Sequence, residues 1–447
     1  MKQALLLAFT LLATTAQAQI GRRFPAEKKV VKDPVTGTPL TFLTSTPAGD
    51  SKIYQTHNQW TADLQWLIFR SNRAKNEALA VNEKTGEIVQ VSEGGYTGML
   101  NVARKAMKLY FMRDLPGSTK EQPAGVQIVE VDLAKVFADS KAGKMQPASA
   151  YQRICGTTPL ELQAGGDMAL DGDENWAYFR VGKEEAARHL APGTKLEPEF
   201  GPRHMGAGPA GIAAMNVRTG AIKYVVSVPF QIGHIQTNPW VPGEIVFCWE
   251  TGGKSPQRTW TVQADGTGLR PLYPEAEYEW VTHEAVITKD ETAFTIMGHR
   301  PIPAVAKDVA PGTPVAGANP GQEAAWGPSG TREKPTGLAI VNHRTREVTI
   351  AGQTPSGSGL WHVSGSADGR WAVGDDFARN IYLIDRHSHE MLLLSTGHKP
   401  TAADHPHPTM SPDGTRIEIQ SAMLSADGKS MNICIIPVPA AWLKRKY

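Results

Sequence analysis

The chain has 447 residues, 41% of them hydrophobic and 20% charged, with a formal net charge of +2. That length is ample for a large buried core or a single big repeat domain. Near-balanced charge gives no general attraction to nucleic acid or to an anionic membrane, though a local basic site can still meet an acidic substrate.

In chain order, Met1-Lys2, the apolar run Ala4 to Leu12 and Ala16-Gln17-Ala18 form the three parts of a signal peptide. Residues 1–18 are therefore expected to be removed, leaving 19–447 as one exported, periplasmic or secreted domain. No later apolar run is long enough for a transmembrane helix. Cys155, Cys248 and Cys434 match no zinc motif. Cys248 and Cys434 lie in apolar strand-like runs, as buried thiols do, and one disulfide is open to an exported protein.

Seven segments share one plan, a polar turn followed by an apolar strand. Their second strands are Trp66 to Phe69, Leu109 to Phe111, Trp176 to Phe179, Ile245 to Phe247, Ala293 to Ile296, Trp371 to Val373 and Ile417 to Ile419. Asp368-Gly369 and Pro412-Asp413-Gly414 are strong hairpin turns, because glycine supplies positive φ and proline presets the turn. A second hairpin follows most of them, as in Val81-Asn82 with Thr85-Gly86 and Met215-Asn216 with Thr219-Gly220. Two hairpins per unit give a four-stranded antiparallel sheet. Seven units predict an all-β fold, a seven-bladed β-propeller, with two separate sandwiches as the alternative. Insertions near 115–162, 182–209 and 301–335 lengthen three of the gaps, and Leu133 to Ala138 predicts a short helix in the first. The last strand, Met431 to Val438, needs a partner, and Pro39 to Thr44 can supply it as the outer strand of the last blade.

Histidines recur about ten residues before the apolar runs, at His57, His234, His283, His362 and the pair His405-Pro406-His407. Equivalent positions of a repeat fold converge on one axis, so these imidazoles should meet. Such a cluster suggests a metal, a proton-transfer site or both; histidines that merely bond between blades are the plainer reading. Residues two apart on a strand point the same way, so His405 and His407 can both face the channel, and His283 offers a third nitrogen. His234 has no adjacent histidine and fits proton transfer better than ligation. His57 and His362 are read as supporting or substrate-contacting residues. Arg203, Arg258 and Arg300 are candidate carboxylate clamps. Trp60, Trp240, Trp249 and Trp361 could stack on sugar rings, although large aromatics between blades are commoner.

The ordered set Gly233-His234, Phe247-Cys248-Trp249-Glu250, Arg258-Thr259-Trp260, Thr282-His283-Glu284 and His405-Pro406-His407-Pro408 resembles the oligogalacturonate lyases. The resemblance covers most of the chain after residue 18. It implies a seven-bladed propeller with a divalent metal ion, of manganese type, on His283, His405 and His407. It implies His234 as the base, and an acidic oligosaccharide as the substrate. Arg258 belongs to the same motifs and is assigned to catalysis, and Arg203 is the candidate for the family's substrate-binding arginine. Ala402 stands where the family has a glutamine, which predicts a water or Asp404 in that position. A TolB-like binding propeller and a metal-dependent propeller hydrolase are the alternatives.

Overall fold

The structure is a computed structural model, and it describes residues 19–118, 125–199, 205–251, 255–276, 279–297, 337–353 and 360–447. The predicted signal peptide, Arg203, Arg300 and the insertion at 301–335 lie outside those residues. Seven antiparallel sheets form the blades of a propeller, five with four strands and two with five. All seven predicted apolar runs fall on the second strand from the axis. The reason they read as unbroken apolar runs is visible in the packing. On the second strand of blade 2, Leu109 and Phe111 pack against Trp66 and Ile68 of blade 1. The intervening Tyr110 and Met112 pack against Ala177 and Phe179 of blade 3. Both faces of the sheet are therefore buried, and no polar face alternates with the apolar one.

The turns are held by a repeated side-chain device. Asp63 accepts from Thr61 Oγ1 and Gln65 N at 2.6 and 3.0 Å. Asp368 does the same for Ser366 Oγ and Arg370 N at 2.6 and 3.1 Å, and Asp413 for Ser411 Oγ and Thr415 N at 2.6 and 3.1 Å. In the outer hairpins Asn82, Asn216 and Asn342 each accept two backbone N–H groups through Oδ1. Short polar side chains of this kind replace the missing ladder bonds of a turn.

The ring closes as expected at Pro39–Phe42, where Thr41 opposes Ile435 and Phe42 opposes Cys434. It is not the outer strand, however. Lys29–Lys32 pairs outside it, giving blade 7 a fifth strand, and Arg23–Phe24 adds a fifth strand to blade 1. The outermost strand carries Lys29 and Lys32 and leaves Val30 61% exposed, and its charges guard the free edge. Two of the expected insertions also contain blade strands. Val126–Asp132 and Gln152–Thr157 complete blade 2, and Ala207–Asn216 begins inside the second insertion. The predicted helix runs longer, over Leu133–Ala142, with Asp132 capping its start and Gly143 in the left-handed conformation at its end. Cys155, Cys248 and Cys434 are all buried and unpaired. Among the described residues no helix is long and apolar enough to cross a membrane.

Candidate active site

Apart from His57, which follows the inner strand Asp50–Lys52, the predicted histidines sit on or just before the innermost strands, and irregular backbone aims them. The register jumps between Gly233 and Gln236 in blade 4 and between Thr282 and Ala285 in blade 5. Two residues there oppose one, which is a β-bulge. His234, His283 and His407 have φ of 50, 56 and 50°. The left-handed region disfavours L-residues by roughly 1–2 kcal/mol each. Strain of that kind persists where surrounding structure over-determines it, as at functional sites.

His234 belongs to a charged group between blades 4 and 5. Its Nδ1 lies 3.0 Å from Glu284 Oε1, and its Nε2 lies 3.6 Å from Glu250 Oε2. Arg258 Nε donates to Glu284 Oε2 at 3.0 Å, and Nη2 is 3.8 Å from Glu250 Oε2. Nη2 also lies 3.3 Å from His234 Nδ1, but Nδ1 cannot both donate to Glu284 and accept from Arg258. The shorter contact is to a carboxylate that stays ionised. Burial opposes that charge, yet Arg258 and His234 together hold Glu284 down to about 2. Nδ1 is therefore a donor, and Nε2 is the nitrogen that carries the lone pair whenever the ring is neutral. Burial pulls the His234 imidazole down, but the charge and hydrogen bond of Glu284, helped by Glu250, outweigh it and raise its pKa. The backbone N–H of His234 donates to Asp167 Oδ2 at 2.5 Å, which pins the bulge from blade 3.

Opposite lies a cluster of four imidazoles from blades 5, 6 and 7. The His362 ring is 4.2 Å from that of His283, 3.7 Å from His407 and 5.3 Å from His405. Three of the four commit the same nitrogen to an outer partner. His283 Nδ1 meets the Trp361 carbonyl at 2.7 Å, His407 Nδ1 meets Gln55 Oε1 at 2.9 Å, and His362 Nδ1 meets both Asp375 oxygens at 3.2 Å. His405 presents Nδ1 to Asp375 Oδ2 at 3.3 Å without a hydrogen-bonding angle. Burial and the neighbouring histidines push His362 down to about 3 and His283 well below its ordinary value. Both rings are neutral and retain a lone pair on Nε2. Tyr54 spans the gap, its ring 5.1 Å from those of both His234 and His407. The two imidazoles are thus separated by at most twice that distance.

These donors suit a divalent ion. Among the described residues His405 Nδ1 and His407 Nε2 are buried without hydrogen-bond partners, the latter although Asp404 Oδ2 is 3.0 Å away. Two donor sets bring one atom per residue within 4.8 Å of one another, His362 with Asp375 and His405, and His234 with Cys248 and Glu284. Imidazole and carboxylate are ordinary ligands of first-row divalent ions.

The remaining predicted residues have different surroundings. Both nitrogens of His57 are engaged, by Met168 O at 2.8 Å and Thr56 Oγ1 at 2.7 Å. It lines a cavity with Arg104, Trp240 and Gly365, at the far ends of the inner strands. His362 lies at the centre of the imidazole cluster. Arg258 is 2% exposed and pairs through Nε with Glu284 and through Nη2 with Glu250, with Nη1 buried and unpartnered among the described residues. Trp60 and Trp249 are buried between blades, and Trp361 packs 4.3 Å from His283. Glu284, Glu250, Asp375 and Tyr54 have no place in the sequence-based site. Glu284 meets His234 and Arg258 of blade 4 while its neighbour His283 meets Trp361 and His362 of blade 6, so adjacency in sequence does not place them in one group.

No protein-family model and no curated protein matches the sequence. Solved structures do match in fold. An oligogalacturonate lyase in complex with manganese superposes with a TM-score of 0.68 at 16% identity, covering 96% of this chain and 100% of that one. An oligogalacturonate lyase from Vibrio parahaemolyticus gives 0.67 at 17% identity, covering 95% and 100%. The likeness is one of fold, and it extends over nearly the whole chain.

Proposed function

We propose that this chain is an exported, metal-dependent lyase that cleaves uronate-containing oligosaccharides by β-elimination. The observation that carries the reading is an oriented histidine and a cluster of four imidazoles on either side of one tyrosine ring. His283, His405 and His407 would hold the divalent ion, of manganese type. When bound there, the ion supplies a positive charge that can neutralise the uronate carboxylate as C5 becomes carbanion-like.

His234 Nε2 takes the C5 proton, because Nδ1–H is held on Glu284. The C5–H electron pair becomes the C4=C5 double bond, and the C4–O bond breaks with its electrons leaving on oxygen. Glu284 then stabilises the imidazolium, and Arg258 keeps Glu284 ionised and in place. Arg258 is on this geometry a positioning residue. A raised imidazole pKa makes His234 a stronger proton acceptor than an unperturbed histidine. The fold likeness to two oligogalacturonate lyases supports the acidic sugar as substrate class.

The test is incubation with a panel of uronate oligosaccharides and Mn²⁺, followed by ultraviolet absorbance of the unsaturated uronate. Elimination creates that chromophore. Cleavage without it identifies a hydrolase, and absence of cleavage across the panel favours a binding propeller.

A further inference from the structure

The four-imidazole cluster contains one more ring than the ligand set just proposed. We infer that His362 is a fourth ligand of the ion and that Asp375 is the carboxylate that orients it. The inference rests on the metal reading of this site.

Three observations carry it. First, His362 is the central ring of the cluster, at 4.2, 3.7 and 5.3 Å from His283, His407 and His405. Two imidazoles on one first-row ion, with metal–nitrogen bonds of about 2.0–2.1 Å, have ring centres roughly 4.5–5.5 Å apart. The His405 separation lies inside that range and the His283 and His407 separations fall short of it, so a shared ion needs those rings to part by roughly an ångström or less. Second, the buried carboxylate of Asp375 takes both Nδ1 of His362, at 3.2 Å, and its backbone N–H, at 2.6 Å. Ligating histidines commonly donate their second nitrogen to a carboxylate, which fixes ring orientation and leaves Nε2 for the metal. Third, Asp375 also lies 3.3 Å from Nδ1 of His405, so one buried carboxylate sits against rings from blades 6 and 7. Asp375 could itself be read as a ligand beside His362 and His405. Its place on the Nδ1 side of both rings makes it the outer brace.

Imidazole ligands bring no charge of their own, so four of them leave the ion its full charge for the substrate carboxylate. It also favours first-row transition ions over Mg²⁺, which prefers oxygen donors. The experiment is calorimetric titration of the metal-stripped full chain with Mn²⁺, Co²⁺ and Mg²⁺, with the visible spectrum of the Co²⁺ form. Variants are His362→Phe, which keeps a stacked ring without a nitrogen, Asp375→Asn and His405→Ala. The expected result is weaker Co²⁺ binding, at least 10-fold in His362→Phe and roughly 10–100-fold in Asp375→Asn, with altered Co²⁺ bands and no Mg²⁺ binding by the parent chain. Unchanged affinity and bands in His362→Phe, with binding lost in His405→Ala, overturn the inference and leave the three-histidine site standing. No Co²⁺ or Mn²⁺ binding by the parent chain removes the metal reading and this inference together. Should His362→Phe not fold, X-ray absorption on the Co²⁺-loaded parent chain decides, since it separates four imidazoles from three.

Discussion

Glycine in place of His234 should separate stability from catalysis. His234 sits at φ 50° inside a bulge, where any residue with a Cβ carries roughly 1–2 kcal/mol of strain and glycine carries none. Ordering glycine costs about 0.5–1 kcal/mol relative to alanine. The bulge should therefore reverse the usual preference, leaving His234→Gly more stable than His234→Ala by up to about 1.5 kcal/mol. Both variants lose the contact to Glu284, which keeps its 3.0 Å bond to Arg258, so that loss cancels in the comparison. Both should lose turnover by about 10²–10⁴-fold, the usual cost of removing a general base. The assay is a pair of urea unfolding curves alongside initial rates and metal content on the same preparations. An alanine variant clearly more stable than the glycine one would refute the strained bulge. Near-normal turnover in either variant, or metal lost with the imidazole, would refute the assignment of His234 as base.

The acid limb of kcat/KM should lie above the ordinary imidazole value, because the pKa of His234 is raised; a limb at or below it counts against the Glu284 pairing. Arg258→Met leaves Glu284 and Glu250 without their buried cation, and chemical denaturation should show a loss of about 3–5 kcal/mol. His57→Ala should cost about 1–3 kcal/mol, as buried hydrogen-bonded groups do, with turnover per folded molecule unchanged. Glu418 is fully buried with both oxygens unpartnered among the described residues, and burial pushes its pKa up to about 8 against the pull of Lys52. The folded state then holds a proton that the unfolded state releases, so stability falls as pH rises from 4.5 through about 8. Thermal unfolding across that window should show the slope in the parent chain and not in Glu418→Gln; Lys52, itself lowered to about 8, acts in the opposite sense only above it.

The blades were legible because their turns are written in short polar residues and their second strands are buried on both faces. Asp368-Gly369 and Asn216 with Gly220 mark turns wherever they stand, and a run such as Trp371 to Val373 has no polar face to confuse it. The edge strands Arg23–Phe24 and Lys29–Lys32 carry neither mark, since two to four residues paired at a rim need no pattern of their own. The convergence of the histidines followed from the repeat alone. Their division into a pair with Glu284 and a cluster around His362 depends on bulges in the inner strands. A bulge changes which face a residue takes without changing the residues.

Closing the ring with the chain's first strands has a consequence for how the protein is made. Ile433 N donates to Thr44 Oγ1 at 2.9 Å across 389 residues of sequence. Synthesis at roughly 5–20 residues per second keeps the early strands waiting tens of seconds for that partner. Until then Leu40, Phe42 and Leu43, all fully buried at the end, have no finished blade to cover them. Pairings this distant in sequence also form slowly, because a long loop must close first. The last blade is therefore a post-translational event, and a chain truncated before Asn432 should aggregate rather than form a six-bladed ring.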